Sequence, residues 1–336
     1  IKVTKYSHRL RYMMSLDLPK TSKEMQDWKW DNYKPFFEYL LTQEINTGNI
    51  ESWMKYWSDF SELIGEVGTD VYVSTTVDTT DEKAKKRFHT FLEDISENAS
   101  TKNQELKKKL LESGISPKNF EIPLRAIKSE VELFCKENLP LMTKDSKLSK
   151  EYDAVIGAQT IEWENEEITI TQLSPVLLET DRERREKAWR LAAERRLKDR
   201  DKINEIWQKI LKIRIKIADN AGYDNYRSWR WEYLKRFDYT PEDCLNFHSG
   251  IEKVIKPFAN NLIKERKEQL GLDILKPWDL SVDTFNRDPL TPFENADELE
   301  DKCHNIFKAV DNDLGEHFSI MREQKLLDLA NRKGKA

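Results

Sequence analysis

At 336 residues, 38% of them apolar, the chain is long enough to bury one large core or two smaller ones. Its 56 basic and 61 acidic residues nearly cancel to a net charge of -5, which gives no strong field for nucleic acid or an anionic membrane. Three scattered cysteines, Cys135, Cys244 and Cys303, exclude a disulfide framework and a zinc ribbon; with no window near the ~18 apolar residues of a membrane span, they point to the cytoplasm.

Glycine and proline are scarce, at 10 and 11, and Glu, Lys, Leu and Arg dominate, so the chain is expected to be mainly α. In chain order, DNYKPFFEYLL (31–41) and IESWMKYWSDFSELIG (50–65) space aromatic and apolar residues by three and four, which predicts one aromatic stripe along a helix face. TDVYVSTTVDTTDEKAKKRFHTFLEDI (69–95) reads as helix throughout, with Thr80 as half a capping signal. A helix from about Lys102 to Glu112 stops at Gly114, and another starts near Pro123. Alternation in QTIEWENEEITIT around Glu164-Asn165-Glu166 predicts one small β-hairpin near 159–172.

Beyond the hairpin, Thr180 and Glu183 have capping-box spacing, and Ile203, Ile206, Trp207, Ile210 and Ile217 share one stripe that ends at Gly222. Thr240, Pro241 and the acids after them start a further helix. Cys244 on it reads as a small buried apolar group. A loop around RDPLTPFENADELEDK precedes a last helix capped by Asn295 or Asp297, and Leu326, Leu327 and Leu329 read as its continuation.

Chemistry is hard to find in these residues. The five histidines, His8, His89, His248, His304 and His317, include no pair one helical turn apart. The stretch DNDLGEHF would need a histidine at Asp313 to make an inverted zinc motif, so Glu316-His317 reads as a surface pair. There is no phosphate loop, no G-x-G-x-x-G and no G-x-S-x-G. No catalytic residue and no metal ligand is assigned. The ten tryptophans read mostly as core.

AGYDNYRSWRWEYLKRFDYTPEDCLNFHSGIEKVIKP (221–257), LKPWDL (275–280) and LLDLANRKGKA (326–336) resemble the middle of the oligoendopeptidase F family of zinc metallopeptidases, relatives of thimet oligopeptidase. DVYVSTTVDTTDEKAKKRFHTFLEDI and QTIEWENEEITITQLSPVLLETDRERREKAWRLAAERR resemble that family's N-terminal half. The resemblance runs from about Pro19 to Ala336 and implies the multi-helix N-terminal part of that fold. It divides the chain into residues 1–18, a leader or non-homologous stretch in which Met13 or Met14 could be the start; a helical region with the hairpin, 19–200; and the first part of the peptidase domain, 201–336.

In the family, R-K-G-K-A leads toward an H-E-x-x-H helix. There, two histidines and a third ligand hold zinc, and the Glu acts as general base on the metal-bound water. That helix is absent from this sequence. The resemblance therefore implies a fragment that binds no zinc and is inactive alone, taken from a zinc-dependent parent that cleaves internal bonds of short unfolded peptides. Arg332 and Lys333 are its substrate-channel candidates. If the apolar stripes at 203–217 and 306–329 normally meet the rest of the parent, they should be exposed here. The competing expectation is a non-catalytic helical scaffold or adaptor.

Overall fold

The computed structural model describes residues 16–335. His8, Met13, Met14 and most of the expected 1–18 leader lie outside the described residues. Among those described, the chain is mainly α. Helices α1 (Trp30–Thr42), α2 (Ile50–Val77), α3 (Glu82–Thr90), α4 (Glu97–Glu112), α5 (Glu121–Leu133) and α6 (Leu139–Gly157) come first. One antiparallel hairpin, β1 (Thr160–Trp163) and β2 (Glu166–Thr169), follows. Then come α7 (Arg182–Lys198), α8 (Arg200–Asn220), α9 (Tyr226–Tyr233), α10 (Pro241–Gln269), α11 (Ala296–Val310) and α12 (Asn312–Glu323).

Two compact units share the chain. The first takes residues through Thr75, Asp81–Lys150 and Lys209–Phe237. Its core is the aromatic stripe: Tyr33, Phe37, Leu40, Trp53 and Phe60 on α1 and α2 are all at most 2% exposed. The Phe60 ring lies 4.9 Å from Phe36 and 5.0 Å from Phe37, within the range where aromatic pairs attract beyond their burial. The polar ends of the buried rings are satisfied, since Trp53 Nε1 donates to Leu40 O at 3.0 Å and Tyr33 Oη to Met25 O at 3.2 Å. Burial pushes the Tyr33 phenol up to about 12.

The second unit takes Thr76–Thr80, Glu151–Gln208 and the residues from Asp238 on. Its apolar cluster is small, built from Ile161 and Trp163 of β1, Leu173, Val176, and Ala188 and Ala192 of α7. Trp163 pairs with Glu166 and Ile161 with Ile168, so the hairpin turn is Glu164-Asn165, and Glu166 already belongs to β2. Both turn residues have positive φ, 54° and 70°, as a two-residue hairpin loop requires.

Several local expectations are corrected. α2 runs through the Thr-rich stretch but stops at Val77, because Asp81 caps a new helix by accepting from the Lys83 and Ala84 N–H groups. Within that stretch Thr69, Ser74 and Thr75 turn their hydroxyls onto carbonyls of the preceding turn, which satisfies them inside the helix. Asp181, not Thr180, caps α7. α6 has too weak a periodicity to announce itself and went unforeseen. The last helix is two helices broken at Asp311, and Leu326, Leu327 and Leu329 follow the final helix outside regular secondary structure.

Caps at Thr240 and Asn295, and left-handed glycines at Gly114 (φ 65°) and Gly222 (φ 77°), stand where expected. The stripe at 203–217 is largely covered: Ile206, Ile210 and Ile217 are buried and Trp207 alone of the large members turns outward. By contrast α10 buries no residue, with Phe247 and Val254 each 67% exposed, and Ile306, Val310 and Leu329 are exposed as well. Cys244 is accordingly half-buried rather than core.

Two glycines give opposite expected outcomes. A Cβ on Gly315 would lie 2.8 Å from Lys308 Cα, so Gly315→Ala must push α11 and α12 apart. It should destabilise by about 1–3 kcal/mol and speed amide exchange across 296–323. Gly250, in α10, has open space around its Cβ position, so Gly250→Ala should stabilise by about 0.5–1 kcal/mol in urea unfolding.

Candidate functional site

The second unit contains an open cavity of about 560 Å³. Its walls come from α6 (Tyr152, Ile156), Ile170 after β2, Arg196 near the end of α7, Ile203 of α8 and the closing segment from Leu329 to Lys335. Backbone bonds strap that closing segment in place. Gly334, at φ 83°, donates its N–H to Gly157 O at 2.8 Å and accepts from the Thr79 N–H at 2.7 Å. The approach is close because position 157 has no side chain: a Cβ there would meet Lys335 O at 3.1 Å. Thr169 adds a hydroxyl donated to Asn331 Oδ1 at 2.8 Å.

Of the two channel candidates, Arg332 lines this cavity and Lys333 does not. Arg332 grips Asp328 with both terminal nitrogens, at 2.7 and 2.9 Å, and donates to Val77 O at 2.6 Å. That pairing holds the Asp328 carboxyl below the usual carboxylate range. Lys335 also bonds the Asp328 and Ala330 carbonyls. Lys333 reaches Glu167 of β2 at 2.7 Å and lowers that carboxyl in the same way.

The same unit holds a buried ion pair, Asp279 and Arg185, each member of which makes four side-chain hydrogen bonds. Asp279, fully buried, accepts on Oδ1 from Arg182 Nε (2.9 Å) and Arg185 Nη2 (3.2 Å), and on Oδ2 from Arg182 Nη2 and the Lys276 N–H (both 2.9 Å). Arg185, 3% exposed, sends its other donors to Trp278 O, Glu179 O and Thr180 O. Arg266 at the end of α10 donates to Asp279 O and Val282 O. The Arg182 hydrogen bonds, with Lys276 N–H and Arg185, overcome burial and bring the Asp279 carboxyl down to about 2.

None of these residues was singled out from the sequence. Two signals pointed to them: K-P-W-D (276–279), a proline followed two residues later by an acid, which is a capping pattern, and Ala188 and Ala192 three and seven residues after Arg185, which mark its face of α7 as buried.

Zinc does not fit the described residues. Among the described residues no group of three or more His, Cys, Asp and Glu side chains is placed to hold an ion. His304 bonds Ser319 Oγ at 2.9 Å, and Glu316 and His317 are exposed on α12. No helix of the described residues is long and apolar enough to cross a membrane.

Residues 176–336 match the model of peptidase family M3. The fold is similar to a candidate oligoendopeptidase F from Bacillus anthracis (21% identity, TM-score 0.79, covering 96% of this chain and 59% of that one). It is also similar to Pz peptidase A crystallised with an inhibitor (23%, TM-score 0.82, 96% and 57%) and to a second candidate oligoendopeptidase F (20%, TM-score 0.83, 95% and 57%). No curated protein matches in sequence. The fold is thus similar to that of these oligoendopeptidase structures, the family match covers residues 176–336, and the chain spans 57–59% of the length of those structures.

Asp279→Asn should destabilise the protein by on the order of 3 kcal/mol, since it leaves Arg185 buried beside a neutral amide. The sign follows from the depressed carboxyl: its contribution is complete above the unfolded value near ~4 and is lost as pH falls through about 2. Urea titrations from neutral pH downward should therefore show a steeper loss in that window for the wild type than for the variant.

Proposed function

We propose that this chain, whose residues 176–336 match peptidase family M3, is part of a zinc-dependent oligoendopeptidase that hydrolyses internal bonds of short unfolded peptides. The observation that carries this reading is the coincidence of that match with an oligoendopeptidase F-like fold over at least 95% of the chain. The division into 1–18, 19–200 and 201–336 and a cytoplasmic location belong to the same proposal. The absence of paired cysteines among Cys135, Cys244 and Cys303 is consistent with a reducing compartment.

The 336 residues contain no H-E-x-x-H, and the chain spans 57–59% of the matched structures. We therefore assign the zinc ligands and the general base to other residues of the whole protein, and inactivity to this chain alone. Its part is to hold the peptide. The apolar side chains Ile156, Ile170, Ile203 and Leu329 suit the alternating side chains of an extended peptide. Arg332, with Lys333 beside it, is its channel-wall candidate.

The test compares two proteins. The purified 336-residue chain should retain no stoichiometric zinc after gel filtration and should leave a quenched fluorescent oligopeptide intact. The product of the whole reading frame should cleave that peptide, lose activity to a chelator and spare a folded protein substrate. Turnover by the 336-residue chain would contradict the assignment of the ligands elsewhere; a whole protein without peptide hydrolysis would end the peptidase reading.

A further inference from the structure

We propose that the cavity of the second unit is a subsite for the C-terminal carboxylate of a short peptide, with the Arg196 guanidinium as anchor; this rests on the oligopeptidase reading. Thirteen residues line the cavity, including three cations, Arg196, Arg332 and Lys335, and no acid. Two of the three are neutralised by their own surroundings. Arg332 is doubly bonded to Asp328, and Lys335 lies 3.4 Å from the same carboxylate.

Arg196 is different. The acid one helical turn on, Asp199, is taken by Arg195 Nη1 at 2.6 Å and by Gln159 Nε2 at 2.9 Å, and Glu194, two residues back, lies off the same helix face. Among the described residues the Arg196 side chain has neither an ion pair nor a hydrogen bond. A guanidinium at the last turn of α7 gains a little from the helix dipole, and that alone could account for a solvated arginine. It does not account for the position of Arg196 in the lining of an acid-free cavity whose other arginine, Arg332, is already paired. A planar fork of free N–H donors is matched by a carboxylate, which it can bind through two parallel hydrogen bonds.

The apolar half of the cavity decides what carries that carboxylate. Ile156, Ile170, Ile203 and Leu329 line it, with Ile156 38% and Leu329 42% exposed at its mouth. Inorganic phosphate or acetate would leave those side chains in water. A peptide ending in an apolar residue covers them while placing its α-carboxylate against Arg196. At about 560 Å³ the cavity has room for a few residues, so the anchor would fix the end of the peptide and leave its N-terminal side to run out of the mouth.

The experiment is fluorescence anisotropy on the 336-residue chain, with a hexapeptide dye-labelled at its N-terminus and ending in leucine. The peptide is supplied as the free acid and as the C-terminal amide. The free acid should bind about tenfold or more tighter, and the preference should shrink in high salt. Arg196→Gln should abolish the preference with an unchanged circular dichroism spectrum, Arg196→Lys should restore part of it, and Leu329→Asp should weaken both peptides. Acetyl-leucine should compete better than inorganic phosphate. Equal affinity for acid and amide, a preference untouched by Arg196→Gln, phosphate competing as well as acetyl-leucine, or no binding of either peptide would each overturn the proposal. Hydrolysis by the whole protein separates the two readings. Chelator-sensitive cleavage without end preference sinks the anchor alone; end preference in this chain without cleavage by the whole protein sinks the peptidase reading alone.

Discussion

A single buried carboxylate organises the second unit. Asp279 exposes no surface and fills its acceptor positions with four donors, three of them from arginine side chains. A carboxylate taken out of water is tolerated only when its charge is matched and its lone pairs are occupied, and here both conditions hold. The consequence reaches past the pair. Arg185 also ties the Glu179 and Thr180 carbonyls just before α7, and Arg266 ties the Asp279 carbonyl to the end of α10. The start of α7, the K-P-W-D turn and the end of α10 thus share one polar node, on which the placement of Arg196 farther along α7 depends.

The need for such a node follows from how little apolar surface the unit buries. The first unit rests on Tyr33, Phe37, Trp53 and Phe60, large rings packed almost without exposure, and a stripe of that kind stabilises by area alone. In the second unit α7 buries only Arg185 and two alanines, and α10 buries nothing. Directed polar bonds therefore supply the geometry that side-chain packing supplies in the first unit. The same scarcity explains why the closing segment is held by backbone bonds at Gly334 and by the Asp328–Arg332 pair instead of by Leu326, which is exposed.

What the sequence made legible was local. The aromatic stripe, the hairpin (its turn one residue shorter than the Glu164-Asn165-Glu166 expected), the caps at Thr240 and Asn295 and the glycines at 114 and 222 are all decided within a few residues, where spacing and backbone preference act directly. Thr180 lost the cap of α7 to Asp181 because two adjacent residues could both serve, and only the arrival of the chain selects one. Asp279 and Arg185 are 94 residues apart, and no periodicity records such a pair. The cavity was illegible for the same reason: Ile156, Arg196 and Leu329 meet only in the folded unit. Family resemblance carried Arg332 and Lys333 forward as a pair, whereas the geometry separates them, one lining the cavity and the other paired with Glu167 on β2.

The dependence of this unit on the Asp279 node is most directly measured by a double-mutant cycle in urea unfolding with Asp279→Asn, Arg185→Gln and the combined variant. Each single change leaves the other member buried with a missing partner, so the costs should not add. The account predicts a coupling energy on the order of 2 kcal/mol, with the double variant less destabilised than the sum. Additivity within about 0.5 kcal/mol would contradict it, showing that the unit holds its geometry without the pair.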